Sequence, residues 1–202
     1  NAVYGPNAFV GDLLDEARTQ PDPQTMYSIT KLAAERSAQR LADLWGLPLH
    51  IARLTSIYGR FERDTGARDT LSPLFQVTLA ARSGQAVTLP SAGLRDWMYG
   101  PDVGNALRAL LQAERLTEPI YHVSAGRTFS VADWCAALAH VYPGFSWRLA
   151  AEGETASIDY FGFGERKPMS VQRLTRDTGF QSAWPLEKAL ADWVAWLDAN
   201  PI

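Results

Sequence analysis

Tyr27-Ser28-Ile29-Thr30-Lys31-Leu32-Ala33-Ala34-Glu35 opens the longest helical pattern in the sequence and decides how the rest is read. Good helix formers continue to Trp45, with Leu32, Ala34, Ala38, Leu41 and Trp45 recurring at three- and four-residue intervals before Gly46 closes the run. Leu47–Leu54 comes next as a short β-compatible stretch. Upstream, Asn1-Ala2-Val3-Tyr4 stops at Gly5-Pro6 and reads as the end of a strand, while residues 6–25, with Gly11, Pro21 and Pro23, read as a surface connection. Strand, helix and strand in that order predict a parallel α/β unit.

Further along the alternation loosens and then returns. An irregular, Arg-rich patch leads to a predicted helix near Pro73–Ser83 and a short strand around Ala86–Leu89. Asp102 reads as the cap of a helix carrying Val103, Ala106, Leu107, Leu110 and Leu111, and Ile120–Val123 as a strand. Ser130 and Asp133 form a capping box for a helix with Val131, Trp134, Leu138 and Val141 inward. A last helix runs from about Pro185 to Ala199 and buries Leu186, Leu190, Trp193, Val194 and Leu197.

Composition narrows the function. At 202 residues, 47% hydrophobic and 20% charged, the chain can build a globular core. A net charge of −3 lacks the basic excess that nucleic-acid binding uses. With no apolar run near the ~20 residues of a membrane span and no leader at Asn1, the expectation is a cytoplasmic protein with no membrane partner. The lone Cys135 shares helix-core spacing with Trp134 and Leu138 and reads as a buried small apolar residue. His50, His122 and His140 are scattered without ligand spacing, so no metal site is expected.

Tyr27 and Lys31, four apart, share a helix face. A free phenol, with a pKa near ~10, is a poor base at neutral pH, but a nearby cation favours its phenolate. Lys31 can supply that cation. Such a phenol can exchange a proton with a substrate hydroxyl while a hydride moves to or from a nicotinamide. A Tyr and Lys so spaced also occur on many surface helices, so the spacing leaves an ordinary solvated face open.

The whole chain, however, resembles the C-terminal part of the extended short-chain dehydrogenase/reductase family, the NAD-dependent epimerases and dehydratases. Val3-Tyr4-Gly5 is similar to the end of its Ser-Ser-x-x-Val-Tyr-Gly strand, Tyr27 and Lys31 to its Tyr-x-x-x-Lys, and Ala33-Ala34-Glu35 to the residues that usually succeed that pair. Arg53-Leu54-Thr55-Ser56-Ile57-Tyr58-Gly59 resembles the next strand and its cofactor-facing turn. Arg95-Asp96-Trp97 through Asp102-Val103, then Arg166-Lys167-Pro168 and Gly179-Phe180, continue the match in order.

The resemblance implies the C-terminal part of a Rossmann-like parallel sheet with an interleaved small α+β substrate-binding region. Residues 1–58 would be the dinucleotide-binding remnant and 59–202 mainly substrate-binding, with 102–124 returning to the Rossmann-like body. It implies Tyr27 and Lys31 as catalytic pair, and these two with Leu54, Thr55 and Ile57 facing NAD or NADP. It implies Asn1, Ala2, Ser56, Thr70, Leu71, Arg95 and Lys167 toward a sugar or nucleotide-sugar, with Arg95 on a diphosphate, and it implies a homodimer paired through the Tyr27–Trp45 helix. Ser56, Thr70 and Ser170 depart from what nucleotide-sugar epimerases carry, which keeps a sugar-acid dehydrogenase or a noncatalytic binding module open. No Gly-x-x-Gly-x-x-Gly pyrophosphate loop is present in these residues. The expectation is therefore a fragment, inactive by itself, of a longer enzyme.

Overall fold

The computed structural model describes residues 2–66, 71–160 and 165–200. Its helices and strands alternate along a mixed α/β chain whose two described two-stranded ladders are both parallel. Parallel neighbours need a long crossover rather than a hairpin, and the helical segments between them provide it. The chain divides into two compact units.

Unit 1 comprises Asn1–Ile57, Asp96–Thr128 and Arg166–Ser182. Helix α1, Met26–Trp45, starts where the Thr25 side chain accepts from the Ser28 amide and Ser28 answers on the Thr25 amide, and ends at Gly46 in the left-handed region. Strand β1, Ile51–Leu54, pairs in parallel with a later strand, Ile120–Val123, in the register Ile51↔Ile120 to Leu54↔Val123. Strand β2, Ser56–Tyr58, carries the chain over the boundary to unit 2.

Unit 2 comprises Tyr58–Arg95, Phe129–Glu165 and Ala183–Ile202. It holds α2, Pro73–Arg82, capped by Ser72, and β3, Val87–Leu89. Strand β4, Arg95–Tyr99, returns to unit 1, where α3, Gly100–Gln112, and β5, Ile120–Val123, complete the α/β body. Thr128–Phe129, β6, leads back to unit 2 for α4, Val131–Val141, and for β7, Trp147–Leu149, which pairs in parallel with β3. Helix α5, Gln172–Thr178, lies in unit 1 and α6, Leu186–Ala199, in unit 2. Residues 166–182, read from sequence with the substrate region, thus cluster with unit 1.

Each unit has its own core. In unit 1, Met98, Val103, Ala106, Tyr121, Val123, Leu174 and Phe180 pack together, and a second cluster joins Val3, Tyr4, Ala8, Leu14 and Met169. In unit 2, Tyr58, Phe75, Trp134 and Trp193 form a network of ring contacts, and the Trp134 indole donates to Thr78 Oγ1 at 3.0 Å. Packing accounts for Trp97, Trp134 and Trp193, and Cys135, next to Trp134 in sequence, is fully buried.

Several expectations are corrected. Ala2–Phe9 is a 3-10 segment kinked at Gly5, not a strand end: the Val3 carbonyl accepts from the Asp22 amide, and no described strand runs beside it to supply a ladder. Leu14 and Glu16, in the supposed surface connection, are buried, because Leu14 bridges Met169 through backbone bonds to Pro168 and Ser170. Strand β1 starts at Ile51, since the Leu47 amide is still spent on the Ala42 carbonyl of the α1 cap. Asp102 lies inside the first turn of α3, where its carboxylate accepts from Ser182 Oγ at 2.6 Å, and Tyr99 is the cap residue. In α6, Ala189 is buried with Leu190, Trp193 and Leu197, while Leu186 and Val194 are half-buried. Most consequential, α1 turns Ser28, Glu35 and Ala42 inward, and Leu41, Leu44 and Trp45 stay exposed.

Candidate active site

Tyr27 and Lys31 stand on the solvent side of the first two turns of α1, Tyr27 at 63% exposure, with Lys31 Nζ 5.4 Å from the phenol ring centroid. The cap at Thr25 places them: it ends the extended approach and starts the helix two residues before the phenol. An accessible phenol beside an ammonium can exchange a proton with a hydroxyl group and donate hydrogen bonds to a ribose.

Around the end of β1, Leu54 is half-buried and Thr55 is buried. The Thr55 amide donates to the Val123 carbonyl and its hydroxyl to the Asp96 carbonyl at 2.8 Å, so this turn is held by backbone partners on two neighbouring strands. Ser56 is half-buried and Ile57 is exposed. Asp96 is fully buried: Oδ2 accepts from Ser124 Oγ at 2.5 Å and from the Met169 amide at 2.8 Å, and Oδ1 has no hydrogen-bond partner among the described residues. Burial pushes the Asp96 carboxyl up to about 6 against these hydrogen bonds.

Lys167 is half-buried, and its amide donates to the Ala8 carbonyl at 3.1 Å, which brings its segment to that of Ala2. In unit 2, Arg95 is only 5% exposed and its guanidinium lies 5.9 Å from the Tyr160 ring centroid. Leu71, also in unit 2, is half-buried and its carbonyl accepts from Gln76 Nε2. The crowded arginine loop after Gly59 is partly consumed, since Arg60 pairs with Asp192. Asn1, Thr70 and Arg68 lie outside the described residues.

Sequence reasoning missed a buried polar network beneath α1. Arg53 Nε and Nη2 form a fork on the two Glu35 carboxylate oxygens, at 3.0 and 2.5 Å, and Nη1 donates to the Tyr4 hydroxyl at 2.8 Å. Arginine has no acceptor, so the phenol proton is free for His122 Nε2, 2.5 Å away. His122 then carries its own proton on Nδ1, 3.7 Å from Glu16 Oε2, while its amide donates to Glu16 Oε1. Burial drives His122 down to about 3 and raises Glu16 and Tyr4, so the imidazole and phenol stay neutral. Burial is the largest influence on Arg53 and works against its charge, but the interactions with Glu35 and Tyr4 together outweigh it and hold Arg53 above its ordinary value. The motif positions of Tyr4, Glu35 and Arg53 were visible; nothing in their spacing pairs them.

The family model for NAD dependent epimerases and dehydratases matches residues 1–126. The chain belongs to the NAD-dependent epimerase/dehydratase family. It is 25% identical over 182 residues to a dTDP-L-rhamnose 4-epimerase of Burkholderia thailandensis, covering 89% of this chain and 48% of that protein. Its fold is similar to that of a UDP-glucose 4-epimerase from Thermotoga maritima solved with UDP-glucose, at TM-score 0.77 and 18% identity, over 98% of this chain and 61% of that one. It is also similar to a dTDP-glucose 4,6-dehydratase from Bacillus anthracis in complex with NAD, at TM-score 0.74 and 17% identity, over 99% and 60% of the two chains. The chain spans about half the length of the curated relatives it matches.

The family depends on NAD. The residues present suit the nicotinamide-ribose end of such a cofactor, because a solvent-facing phenol and ammonium meet on α1. Among the described residues no helix is long and apolar enough to cross a membrane, and no group of three metal-ligating side chains is found.

Proposed function

We propose that this chain supplies the acid–base pair and the substrate-binding region of an NAD-dependent epimerase or dehydratase acting on a nucleotide-sugar. The observation that carries the reading is Lys31 Nζ beside the exposed Tyr27 ring, at the Tyr-x-x-x-Lys position of a chain belonging to this family. NAD, when bound, supplies the hydride acceptor. Tyr27 takes the proton of the substrate hydroxyl as the carbon beneath it is oxidised, and returns it on reduction. Lys31 donates to the ribose. The Leu54–Ile57 turn faces the cofactor. Within unit 1, Ala2, Ser56 and Lys167 face the substrate, and unit 2, taken by itself, is the substrate-binding region with its aromatic core.

Relatives named for dTDP-sugars support a nucleotide-sugar. Ser56, Thr70 and Ser170 stand where nucleotide-sugar epimerases commonly carry other groups, and these departures favour a sugar-acid dehydrogenase as the second reading. A homodimer through α1 fits its exposed Leu41, Leu44 and Trp45, and the cytoplasm is the expected compartment. The 202 residues alone should bind NAD weakly and not turn over.

The test is to incubate the full-length protein with NAD and a panel of dTDP- and UDP-hexoses and sugar acids, following absorbance at 340 nm and product stereochemistry by NMR. Conversion of a nucleotide-sugar with little net NADH supports the first reading. Stoichiometric NADH from a sugar acid selects the second, and no conversion of any panel member refutes both.

A further inference from the structure

Helix α1 carries the proposed acid–base pair, yet it is docked in an unusual way. A helix of this length normally presents a wide stripe of large apolar side chains to its neighbours. Here the buried residues of its 20 are Ser28, Glu35 and Ala42, and Leu32, half-buried, is its contribution to the cluster around Val3 and Tyr4. Small side chains resist sliding poorly, because they offer no knobs to interlock. The grip on this face comes from the Glu35 carboxylate held by the Arg53 fork, with both groups under 10% exposed.

A guanidinium fork accepts a carboxylate in one plane and one orientation, unlike an ammonium, which is a point charge. The same guanidinium has a second arm: Nη1 holds the Tyr4 hydroxyl, and the Arg53 carbon lies 5.1 Å from the Tyr4 ring centroid. Tyr4 is anchored in turn by His122 of β5. Arg53 sits in β1, paired directly with His122 in the parallel register. A rigid two-strand ladder therefore sets the spacing between α1 and the Ala2–Phe9 segment.

We propose that Arg53 is a positioning residue: it clamps α1, through Glu35, to the Ala2–Phe9 segment, through Tyr4, and so fixes where Tyr27 and Lys31 meet the substrate. This rests on the reading of Tyr27 as the acid–base group. Glu35 faces inward while Tyr27 and Lys31, eight and four residues before it, face solvent, and because all three belong to one helix, holding Glu35 fixes the register of the other two. A one-residue slip of α1 would move the phenol by about 1.5 Å, and misplacement on the order of 1 Å costs about 10²-fold in rate.

The test uses the full-length enzyme, with kcat, KM and thermal midpoint measured for Arg53→Met/Glu35→Leu, Tyr4→Phe and Tyr27→Phe. Replacing a buried ion pair by apolar side chains of similar volume is often neutral for stability. The double variant should therefore keep its melting temperature while kcat falls about tenfold or more at unchanged KM for NAD. Tyr4→Phe, which removes one hydroxyl, should lower kcat about threefold. A double variant that melts like the parent and turns over within about twofold of it overturns the clamp. If the double variant fails to fold, Tyr4→Phe decides in the same way. Full activity in Tyr27→Phe refutes the acid–base reading and the clamp together. A ~10²-fold loss there, with unaffected clamp variants, refutes the clamp alone.

Discussion

Asp96 and His122 are buried in the same unit and titrate in opposite senses, so substituting one should unmask the other. Burial holds His122 at about 3, whereas an unfolded histidine titrates near ~6.5. As pH falls through that window the unfolded chain binds the proton first, and stability is lost from about pH 6.5 downwards. At ~1.36 kcal/mol per unit, the full shift corresponds to roughly 5 kcal/mol, most of it withdrawn by pH 4. Asp96, raised to about 6 against ~3.9 unfolded, works the other way. The folded state binds its proton more tightly, so stability is present at low pH and lost as pH rises through the folded pKa, roughly 2 kcal/mol of it between pH 4 and pH 6.

Over the window from pH 6 to pH 4 the two contributions nearly cancel. Asp96→Asn removes one of them while its side-chain oxygen can still accept from Ser124 and from the Met169 amide. Urea unfolding monitored by circular dichroism at pH 4, 5, 6 and 7 would show it. Relative to the variant, the parent should gain roughly 2 kcal/mol from pH 6 to pH 4. A difference that stays constant across the range would refute the argument that burial governs this carboxyl.

Gly93→Ala should cost about 1–3 kcal/mol in the same unfolding assay, because Gly93 has φ +72° and an added Cβ would stand 2.6 Å from the Tyr160 ring. Pairing it with Tyr160→Ala should return the steric part of that loss. Ser130→Ala removes the hydroxyl that accepts from the Asp133 amide at 2.9 Å and should lower stability by about 1 kcal/mol. Cys135, fully buried with its thiol pushed up to about 12, should stay unreactive to a thiol reagent at pH 8 in the native protein and react at once in denaturant.

Local signals carried the sequence reading where structure is decided locally. Helices α2, α4 and α6 were legible from the run after Pro73, from the reciprocal Ser130–Asp133 box and from the apolar spacing after Pro185. The extent of α1 was legible from Tyr27 to Gly46, but its Thr25 cap and its inward face were not. Periodicity weighs polarity, so Leu41 and Trp45 looked like a core stripe, and nothing marked Glu35, whose partner lies 18 positions away, as inward. Val3-Tyr4 suits a strand by composition, but a strand exists only with a ladder beside it, and a 3-10 turn formed instead.

The candidate site divides along the same line. Tyr27 and Lys31 are legible because four residues on a helix guarantee proximity. The contacts of Arg53 with Tyr4 and of Tyr4 with His122 span 49 and 118 positions, and only the folded chain brings them together. Arg95 was legible as a motif residue, but its burial beside Tyr160 was not.

Whether Tyr27 and Lys31 form the acid–base pair is tested most directly by single-turnover hydride transfer at 340 nm in full-length enzyme carrying Tyr27→Phe, with saturating NAD and the nucleotide-sugar that the parent converts. Removing the transferable proton while keeping the ring should slow the absorbance change by ~10²–10⁴-fold, with NAD affinity little changed. A Phe variant that transfers hydride within a few-fold of the parent would contradict the assignment of that pair.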